Sequence, residues 1–330
     1  MRKIMALTLA ALCLAFPALA ETATLRLGVQ PGLTYLPFAV VQHEKLVEKM
    51  AARSGIGGLQ VTYSKFAGGP AMNDALLSGA VDVAITGIPS FLTLWAKSRG
   101  QRAIRGLTSY GHIPIALVTR NPNVKTLTDF TDKDRIALPG VKTSLQAIFL
   151  AMAAEKLYGP GQSDRFNAIT VTRAHPDGMA AILGNTEINS HFTIPPYLQI
   201  ELKRPDIHLV ATAVDIVGSP VSNGVVYLPE RFYEANPKVV GALYEAIREA
   251  IALINADPVR AAEIYLSVSG ERTPVDEIKA MITTPGAVYE VTPRGTMALA
   301  RFLKRNGYIP AEPADWKELF LPFAHGEPGS

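Results

Sequence analysis

Residues 68–92 read GGPAMNDALLSGAVDVAITGIPSFL and combine helix and strand signals in one short stretch. A glycine pair opens it, and residues 71–77 can form a helix that ends at Gly79, since glycine is common just past a helix. The apolar run 81–85 is short enough for a buried strand, and Pro89 is well placed to open a second helix. A strand between helices predicts parallel βαβ units in a sheet that is covered on both faces.

The same alternation of strand and helix signals continues on both sides of this stretch. Upstream, 24–29 and 59–63 are predicted strands that flank a predicted helix over 36–50. We therefore expect an α/β fold of two lobes, with a ligand cleft between them at the carboxyl ends of strands. Downstream, the pattern predicts helices over 89–98, 144–157 and 176–183 and strands over 113–119, 135–138, 168–172, 188–192, 208–211 and 224–228.

The last third of the chain is predicted to be helical. At four places a capping residue directly precedes a proline, which is typical of helix starts. The oxygen of the capping side chain accepts from free N–H groups of the first turn, and proline has no N–H to leave unpaired. No new sheet is predicted here, so this segment is expected to pack back on the first lobe. The pairs are Asn236-Pro237, Asp257-Pro258, Thr273-Pro274 and Thr292-Pro293.

The amino terminus has the three regions of a secretory signal peptide. Met1-Arg2-Lys3 is cationic, 4–16 is almost wholly apolar, and Ala18-Leu19-Ala20 is a small-residue cleavage site. The apolar run is too short for a membrane-spanning helix, which needs about 20 residues. We predict a signal peptide over 1–20, cleavage after Ala20 and export to the periplasm.

The mature chain is predicted to divide into two lobes, the first of them discontinuous. Lobe one begins with 21–110, lobe two comprises 111–218, and 219–330 returns to lobe one as its helical carboxy-terminal part. The two crossovers are expected near Tyr110 and over 217–223.

Composition excludes several classes of protein. Lys and Arg total 32 against 29 Asp and Glu, so the chain lacks the strong positive charge of a typical nucleic-acid binder. The single cysteine, Cys13, falls in the signal peptide, and the six histidines show neither H-x-x-x-H nor H-E-x-x-H spacing. No G-x-S-x-G motif occurs. We expect a protein without metal, cofactor, nucleic acid or catalytic activity.

The glycine pair Gly68-Gly69 is the first candidate binding feature. It allows backbone N–H groups to approach a ligand, and the helix that follows points its positive amino end at the same place, which suits a carboxylate, sulfonate or nitrate. The alternative is an ordinary turn between strand and helix. The stretch lacks the Lys-Ser/Thr pair of a nucleotide-binding loop, so a nucleotide is not expected.

The second lobe offers an equivalent candidate in residues 139–144, PGVKTS. Thr143 or Ser144 can cap the helix that follows, and both hydroxyls together with Lys142 could hold an anion. The alternative is a solvated lysine beside a normal cap. Other candidates each have an ordinary surface or core explanation as well; they are Arg173, His175, His191 and the pair Gln30 and Tyr35.

Four segments, taken together, resemble one known family. They are LRLGVQPGLTYLPFAV (25–40), the stretch 68–92, LPGVKTSLQAIFL (138–150) and EINSHFTIPPYLQIEL (187–202). They are similar to the periplasmic solute-binding proteins of nitrate/sulfonate/taurine-type ABC transporters, and the resemblance covers essentially the whole mature chain.

The resemblance implies a type II periplasmic-binding-protein fold with two crossovers and a cleft that closes by hinge motion. It also implies docking on an inner-membrane permease that bears an ATPase, and we expect the receptor to be a monomer. The positions that it implies as ligand contacts are Gln30, Pro31, Gly32, Gly69, Pro70, Ala71, Gly87, Lys142, Thr143, Ser144, Arg173, His175 and His191.

The ligand that we expect is a small anionic organic solute, such as a sulfonate or carboxylate. Residues 184–192, GNTEINSHF, differ from the tryptophan-bearing segment of many sulfonate- and taurine-binding relatives, so neither taurine nor nitrate is assigned. Three alternatives stay open. They are a receptor for a neutral aromatic heterocycle such as a thiamine-pyrimidine precursor, a chorismate-dehydratase-like enzyme on the same fold, and a sensor that hands its ligand to a membrane kinase.

Overall fold

Two five-stranded mixed sheets organise the chain, of which the computed structural model describes residues 21–98 and 103–330. We refer to each sheet with its covering helices as a lobe. The predicted signal peptide over 1–20 and its cleavage after Ala20 lie outside the described residues.

The first sheet combines four strands from the first part of the chain with one strand that returns later. They lie in the order β2-β1-β3-β10-β4, where β1 is Thr24–Val29, β2 Gln60–Lys65, β3 Val83–Thr86, β4 Ile104–Ser109 and β10 Val225–Pro229. Strand β1 is parallel to β2 and β3, whereas β10 is antiparallel to β3 and β4.

The second sheet is built from the middle of the chain. Its order is β7-β6-β8-β5-β9, where β5 is Ala116–Thr119, β6 Ile136–Leu138, β7 Thr170–Thr172, β8 Ser190–Thr193 and β9 His208–Thr212. Strand β6 is parallel to β7 and β8, and β5 is antiparallel to β8 and β9. The alternation of strands and helices thus confirms the predicted α/β class.

Helices connect the strands and cover both sheets. They are α1 (Leu36–His43), α2 (Leu46–Arg53), α3 (Gly69–Ser78), α4 (Ile88–Lys97), α5 (Leu145–Tyr158), α6 (His175–Leu183), α7 (Tyr197–Leu202), α8 (Ala213–Val217), α9 (Glu230–Ala235), α10 (Pro237–Ala256), α11 (Pro258–Ser269), α12 (Val275–Ile282) and α13 (Thr296–Arg305). In residues 21–98 and 103–330, no helix has both the length and the hydropathy to cross a bilayer.

The chain passes between the sheets twice, once after β4 and once before β10. The two crossing segments lie side by side, since Asn223 N donates to Gly111 O at 2.9 Å and Asn223 Oδ1 accepts from Ile113 N at 2.5 Å. The predicted lobe limits after residues 110 and 218 fall within these connections. We propose these paired segments as the hinge between the lobes.

The carboxy-terminal helices cover the first sheet. The long helix α10 buries Val239, Leu243, Ile247 and Ile254, which recur at the spacing of one helical face. This face packs against α1 and α2, which share one hydrophobic core with the first sheet. Hydrophobic burial of this kind, rather than a further sheet, holds the segment in place.

Two of the four predicted carboxy-terminal helix starts are confirmed, because α10 and α11 begin at the prolines of their pairs. Helix α12 begins one residue late, at Val275. The start predicted at Thr292 is wrong: α13 begins at Thr296. The Oγ1 of Thr292 donates to Glu327 Oε2 at 2.7 Å, so it is not used to cap a helix.

The structure differs from the sequence prediction in two further places. The helix predicted over 36–50 is two helices, because Lys45 between α1 and α2 takes a left-handed backbone with φ 52°. Strand β4 was not predicted, since Gly106 in its centre weakens a strand pattern. The ring of Phe320 fills the space that a side chain at Gly106 would need.

Candidate functional site

A cavity of about 30 Å³ lies between the two lobes; we name it the interlobe cavity. It is at the carboxyl ends of strands, because Gln30 follows β1, Thr86 ends β3, and Ile194 follows β8. Such a position is the usual ligand site of α/β sheets. The lining residues are Gln30, Thr34, Tyr35, Gly69, Thr86, Gly87, Ile115, Pro139, Ser144, Leu145, Gln146, His175, Ile194 and Asn223.

Four helices begin at the interlobe cavity, two from each lobe. Gly69 is the first residue of α3, Gly87 is the N-cap of α4, Ser144 is the N-cap of α5, and His175 is the first residue of α6. The first N–H groups of a helix lack partners within it, and each amino end carries roughly half a positive elementary charge. The cavity therefore favours a hydrogen-bond acceptor or an anion.

The lobes are in contact around this cavity. Leu33 N donates to Pro195 O at 2.8 Å, which links the loop after β1 to the loop after β8. A Cβ atom at Gly68 would lie 2.0 Å from Pro139 O, so only glycine allows this approach of α3 to the second lobe. The structure is accordingly that of the closed cleft.

The lining of the interlobe cavity mixes polar and apolar side chains and carries no ionised side chain. Gln30 Nε2 donates to Thr86 Oγ1 at 2.5 Å, which fixes one amide in the wall. The Oγ1 of Thr34 is buried and makes no hydrogen bond. A buried hydroxyl without a partner is costly, so its place in a cavity wall points to a ligand that supplies the partner.

A chain of buried hydrogen bonds leads from the interlobe cavity into the second lobe; we name it the relay. Gln146 Nε2 lies 3.2 Å from His175 Nε2, His175 Nδ1 lies 3.1 Å from His191 Nε2, and His191 Nδ1 lies 2.6 Å from Glu201 Oε1. His191 and Glu201 are fully buried, and the second carboxyl oxygen of Glu201 has no partner.

Burial sets the protonation of the relay. It lowers the pKa of His175 well below its usual value and that of His191 to about 3, and it raises the pKa of Glu201 to about 9. At neutral pH both rings are neutral, and the Glu201 carboxylic acid donates to His191 Nδ1. Each ring then donates from Nε2, so that His175 presents a donor to Gln146 beside the cavity. The amide of Gln146, whose two ends have nearly the same shape, accepts through its oxygen.

A second and larger cavity of about 300 Å³ adjoins the first; we name it the aromatic cavity. It shares Gln30 and Tyr35 with the interlobe cavity. The second lobe contributes Pro176 and Tyr197 to its wall. Its lining residues are Val29, Gln30, Pro31, Gly32, Tyr35, Phe38, Ala39, Gln42, Tyr63, Lys65, Pro176, Tyr197, Tyr265, Val268, Ser269 and Glu271.

Many of the residues that the sequence singled out come together at these two cavities. Gln30, Tyr35, Gly69, Gly87, Ser144 and His175 line the interlobe cavity, and Pro31 and Gly32 line the aromatic cavity. His191 lies behind His175, at a distance from the cavity, and acts on it only through the relay. Ser144 Oγ accepts from Ala147 N at 3.2 Å, so its hydroxyl serves as the helix cap.

The remaining predicted residues line neither cavity. Lys142 is exposed in a turn with φ 62°, and Arg173 is exposed with its guanidinium donating to Thr172 O at 2.9 Å. Pro70 and Ala71 are exposed on the first turn of α3, and Thr143 packs against Gly140. The expected cationic contacts are therefore not formed here, because turn geometry places both cations in solvent.

Several lining residues were missed by sequence reasoning. Thr34, Thr86 and Asn223 are ordinary polar residues, and Gln146 is hidden in an apolar helix. Position could have marked Thr86, one residue after the predicted strand 81–85, and Gln146, two residues after the candidate cap Ser144. Glu201 lies in α7 with no local signal of its burial.

Solved structures with the same fold include periplasmic binding proteins. The alkanesulfonate-binding protein SsuA of Xanthomonas axonopodis pv. citri, bound to MOPS, aligns with a TM-score of 0.71 at 18% identity, over 88% of this chain and 96% of that chain. The aliphatic sulphonate-binding protein SsuA of Escherichia coli gives 0.64 at 19% identity, over 93% and 100%. The nitrate-binding protein NrtA of Synechocystis PCC 6803 gives 0.59 at 17% identity, over 79% and 70%.

These likenesses establish the periplasmic-binding-protein fold and confirm the resemblance that the sequence indicated. Among curated proteins, no sequence matches the chain. One family model matches residues 18–267, well over half of the chain. The chain therefore belongs to the NMT1-like family and has the fold of the solute-binding proteins of ABC importers.

Proposed function

We propose that this protein is a periplasmic, non-catalytic receptor that delivers a small organic solute to an ABC permease. We further propose that it holds the solute by a singly charged or strongly accepting head group, such as a carboxylate or sulfonate, in the interlobe cavity. The observation that carries this proposal is the convergence of four helix amino ends, two from each lobe, on one buried space.

The charge of the lining supports a single negative charge on the head group. No ionised side chain lines the cavity, and the neutral His175, whose N–H is used by Gln146, adds no charge. Helix amino ends of roughly half a charge each can balance one negative charge without a cation. A doubly charged group such as a phosphate would normally be met by arginine or lysine, and the exposed Lys142 and Arg173 do not supply it.

The named solved relatives support an anionic head group. Two of them are sulfonate-binding proteins and one is a nitrate-binding protein. Both kinds of anion are compact and rich in acceptors, which fits a cavity lined by N–H groups and hydroxyls. A head group in contact with both lobes binds the closed form better than the open form, so binding shifts the population toward closure. We propose that the permease recognises this closed form.

The unpartnered hydroxyl of Thr34 provides the test. In Thr34→Val the shape of the wall is kept and a hydrogen bond to the solute is lost. A thermal-shift panel of nitrate, methanesulfonate, benzenesulfonate, acetate, phenylacetate and phenylacetamide identifies the tightest-binding probe, since a ligand of the folded form raises the melting temperature. We expect calorimetry with that probe to give affinity tenfold to hundredfold weaker for Thr34→Val, which is about 1.5–3 kcal/mol.

Thr296→Val is the matched control. Its Oγ1 is likewise buried without a hydrogen bond, but it lies in α13 and lines neither cavity. We expect this variant to bind like the wild type and both variants to fold normally. Equal binding by Thr34→Val and the wild type, or a panel in which no probe raises the melting temperature, would refute the head-group site.

The uncharged lining also favours a second candidate, a receptor for a neutral aromatic heterocycle. Benzamide and benzoate differ in charge at nearly constant shape, so the pair separates the candidates. Binding of the acid that weakens with added salt supports the anion receptor, because salt screens charge. Tighter binding of the amide with no salt effect supports the neutral ligand. Recovery of the bound probe unchanged, by mass spectrometry, tests the non-catalytic role.

A further inference from the structure

The volumes of the two cavities differ tenfold, and that difference constrains the shape of the solute. The interlobe cavity holds about 30 Å³ and the aromatic cavity about 300 Å³. One water needs roughly 10–15 Å³ of such volume, so the interlobe cavity has room for a head group but not for a whole organic solute. The rest of the solute must extend from it. Gln30 and Tyr35 form walls of both cavities, so the aromatic cavity is the adjoining space.

The walls of the aromatic cavity suit a flat apolar group. Five aromatic side chains line it, namely Tyr35, Phe38, Tyr63, Tyr197 and Tyr265. Aromatic rings pair favourably with one another beyond the area that they bury. A cavity of roughly 150 Å³ holds one benzene molecule, so the volume here admits one ring or two fused rings.

The charges at the cavity argue against a cationic group. Lys65 and Glu271 both line it, with the lysine exposed and the glutamate half-buried. Their opposite signs leave no net negative charge to attract a quaternary ammonium group, which otherwise also favours aromatic walls. A neutral aromatic ring does not need a net negative charge in the cavity wall.

Both lobes contribute to the aromatic cavity. Pro176 and Tyr197 belong to the second lobe, whereas Phe38 and Tyr265 belong to the first. The Tyr197 ring is also stacked on His175, with centroids 6.1 Å apart and planes 18° apart. A ring bound here would thus touch both lobes and lie next to the wall of the interlobe cavity, so that it adds to closure.

We propose that the aromatic cavity binds the aromatic ring of the same solute whose head group occupies the interlobe cavity. The substrate class is therefore a small arene or heteroarene that carries one accepting head group, rather than an alkyl sulfonate or inorganic nitrate. This inference rests on the proposed function and refines its ligand.

The experiment compares probes that share a head group and differ only in the ring. The pairs are acetate with phenylacetate, methanesulfonate with phenylmethanesulfonate, and acetamide with phenylacetamide. Calorimetry on the exported protein should show that in at least one pair the ring-bearing probe binds at least tenfold tighter. Choline is added as the cationic probe and should not bind.

Two variants fill the aromatic cavity from positions that are not fully buried. They are Ala39→Phe in α1 and Val268→Phe in α11; Ala52→Phe, on the exposed side of α2, is the matched control. We expect either filling variant to abolish the tighter binding of the ring-bearing probe and to leave the ringless probe of the pair unchanged. Ala52→Phe should bind both probes like the wild type. The second filling variant keeps the test decisive if the first fails to fold.

The outcomes separate this inference from the proposed function. Ringless probes that bind as tightly as their ring-bearing partners, or ring binding that survives both filling variants, would overturn the aromatic subsite and leave the head-group site intact. Tight binding of choline would also overturn it. Ring binding that is lost in Ala39→Phe but unchanged in Thr34→Val would keep the aromatic subsite and refute the head-group site. Binding of none of the probes would refute both.

Discussion

The two lobes contribute different chemistry to the interlobe cavity. The first lobe brings glycines at helix starts, Gly69 and Gly87, and hydroxyls such as Thr34. The second brings His175, which is backed by the buried relay that ends at Glu201. The first lobe therefore depends on close backbone approach, whereas the second depends on a protonation state that burial maintains.

This difference indicates that equivalent positions in the two lobes respond to different changes, steric in one lobe and in protonation in the other. Steric changes should act mainly through the first lobe, because a Cβ at Gly68 would lie 2.0 Å from Pro139 O of the second lobe and one at Gly32 would lie 2.4 Å from Ile194 Cδ1. Changes in pH should act mainly through the second lobe, because the relay contains three buried groups whose pKa values burial shifts into or across the range from pH 4.5 to 9.

The largest effect is expected from Gly68→Ala. The backbone of Gly68 is extended, so alanine is allowed in the open form, but its Cβ would lie 2.0 Å from Pro139 O in the closed form. Overpacking costs about 1–3 kcal/mol, so we expect the tightest-binding probe to bind tenfold to hundredfold more weakly. Calorimetry gives the affinity, and small-angle scattering should show incomplete closure when the probe is present.

Gly241→Ala in α10 is the control for this substitution. The nearest atom to its added Cβ is 3.9 Å away, and alanine favours a helix over glycine. This variant should bind like the wild type and be slightly more stable. Wild-type affinity in Gly68→Ala would contradict the view that the closed contact is used in binding.

An intermediate effect is expected from pH. The pKa of Glu201 is raised from 4.5 to about 9, so above pH 4.5 the folded protein holds a proton that the unfolded chain releases. The pKa of each relay histidine is lowered from 6.5, so below pH 6.5 the unfolded chain binds protons that the folded protein does not. The free energy of unfolding should therefore rise from pH 4.5 to 6.5, where the two histidines outweigh Glu201, and fall from pH 6.5 to 9, where Glu201 alone acts, by up to about 1.4 kcal/mol per pH unit in each range.

Urea unfolding at a series of pH values measures this profile. Glu201→Gln keeps a neutral donor for His191 Nδ1 but has no proton to lose. In this variant the decline above pH 6.5 should disappear, whereas the rise between pH 4.5 and 6.5 should become steeper, because Glu201 no longer opposes it. A decline of the same size in Glu201→Gln would show that another group causes it.

The smallest effect is expected from the two exposed cations of the second lobe. Lys142→Ala and Arg173→Ala remove charges that line neither cavity and that water and salt screen. We expect the affinity of the tightest-binding probe to change by less than about twofold, the size typical of exposed charges. A loss of tenfold or more would place these side chains at the bound solute.

Local signals predicted the parts of the site that depend on helix starts. Four site residues lie where a strand is followed by a helix, and glycine, serine and proline mark such places in the sequence. They are Gly69, Gly87, Ser144 and His175. The same local reasoning failed for Lys142 and Arg173. Residue type suggested an anion contact, but the direction of a side chain depends on its turn.

The sequence did not predict the aromatic cavity or the relay, although it singled out Tyr35, His175 and His191 one by one. Tyr35 and Tyr265 belong to the first lobe and Tyr197 to the second, and all three are far apart in the chain. Tyr197 and Tyr265 have the appearance of core residues. Glu201 looks like a surface charge of a short helix, and nothing near it in the chain indicates that His191 lies against its carboxyl group.

The sequence by itself determined the α/β class, the two lobes and the helix amino ends that meet at the cleft, because periodicity, caps and turn residues act over a few neighbouring positions. The tertiary structure alone decided which side chains form the two cavities and which titratable groups are buried. These depend on how the fold brings together segments more than a hundred residues apart, since Tyr35 and Tyr265 line one cavity and Gln30 and His175 line the other, and on the removal of water from buried groups.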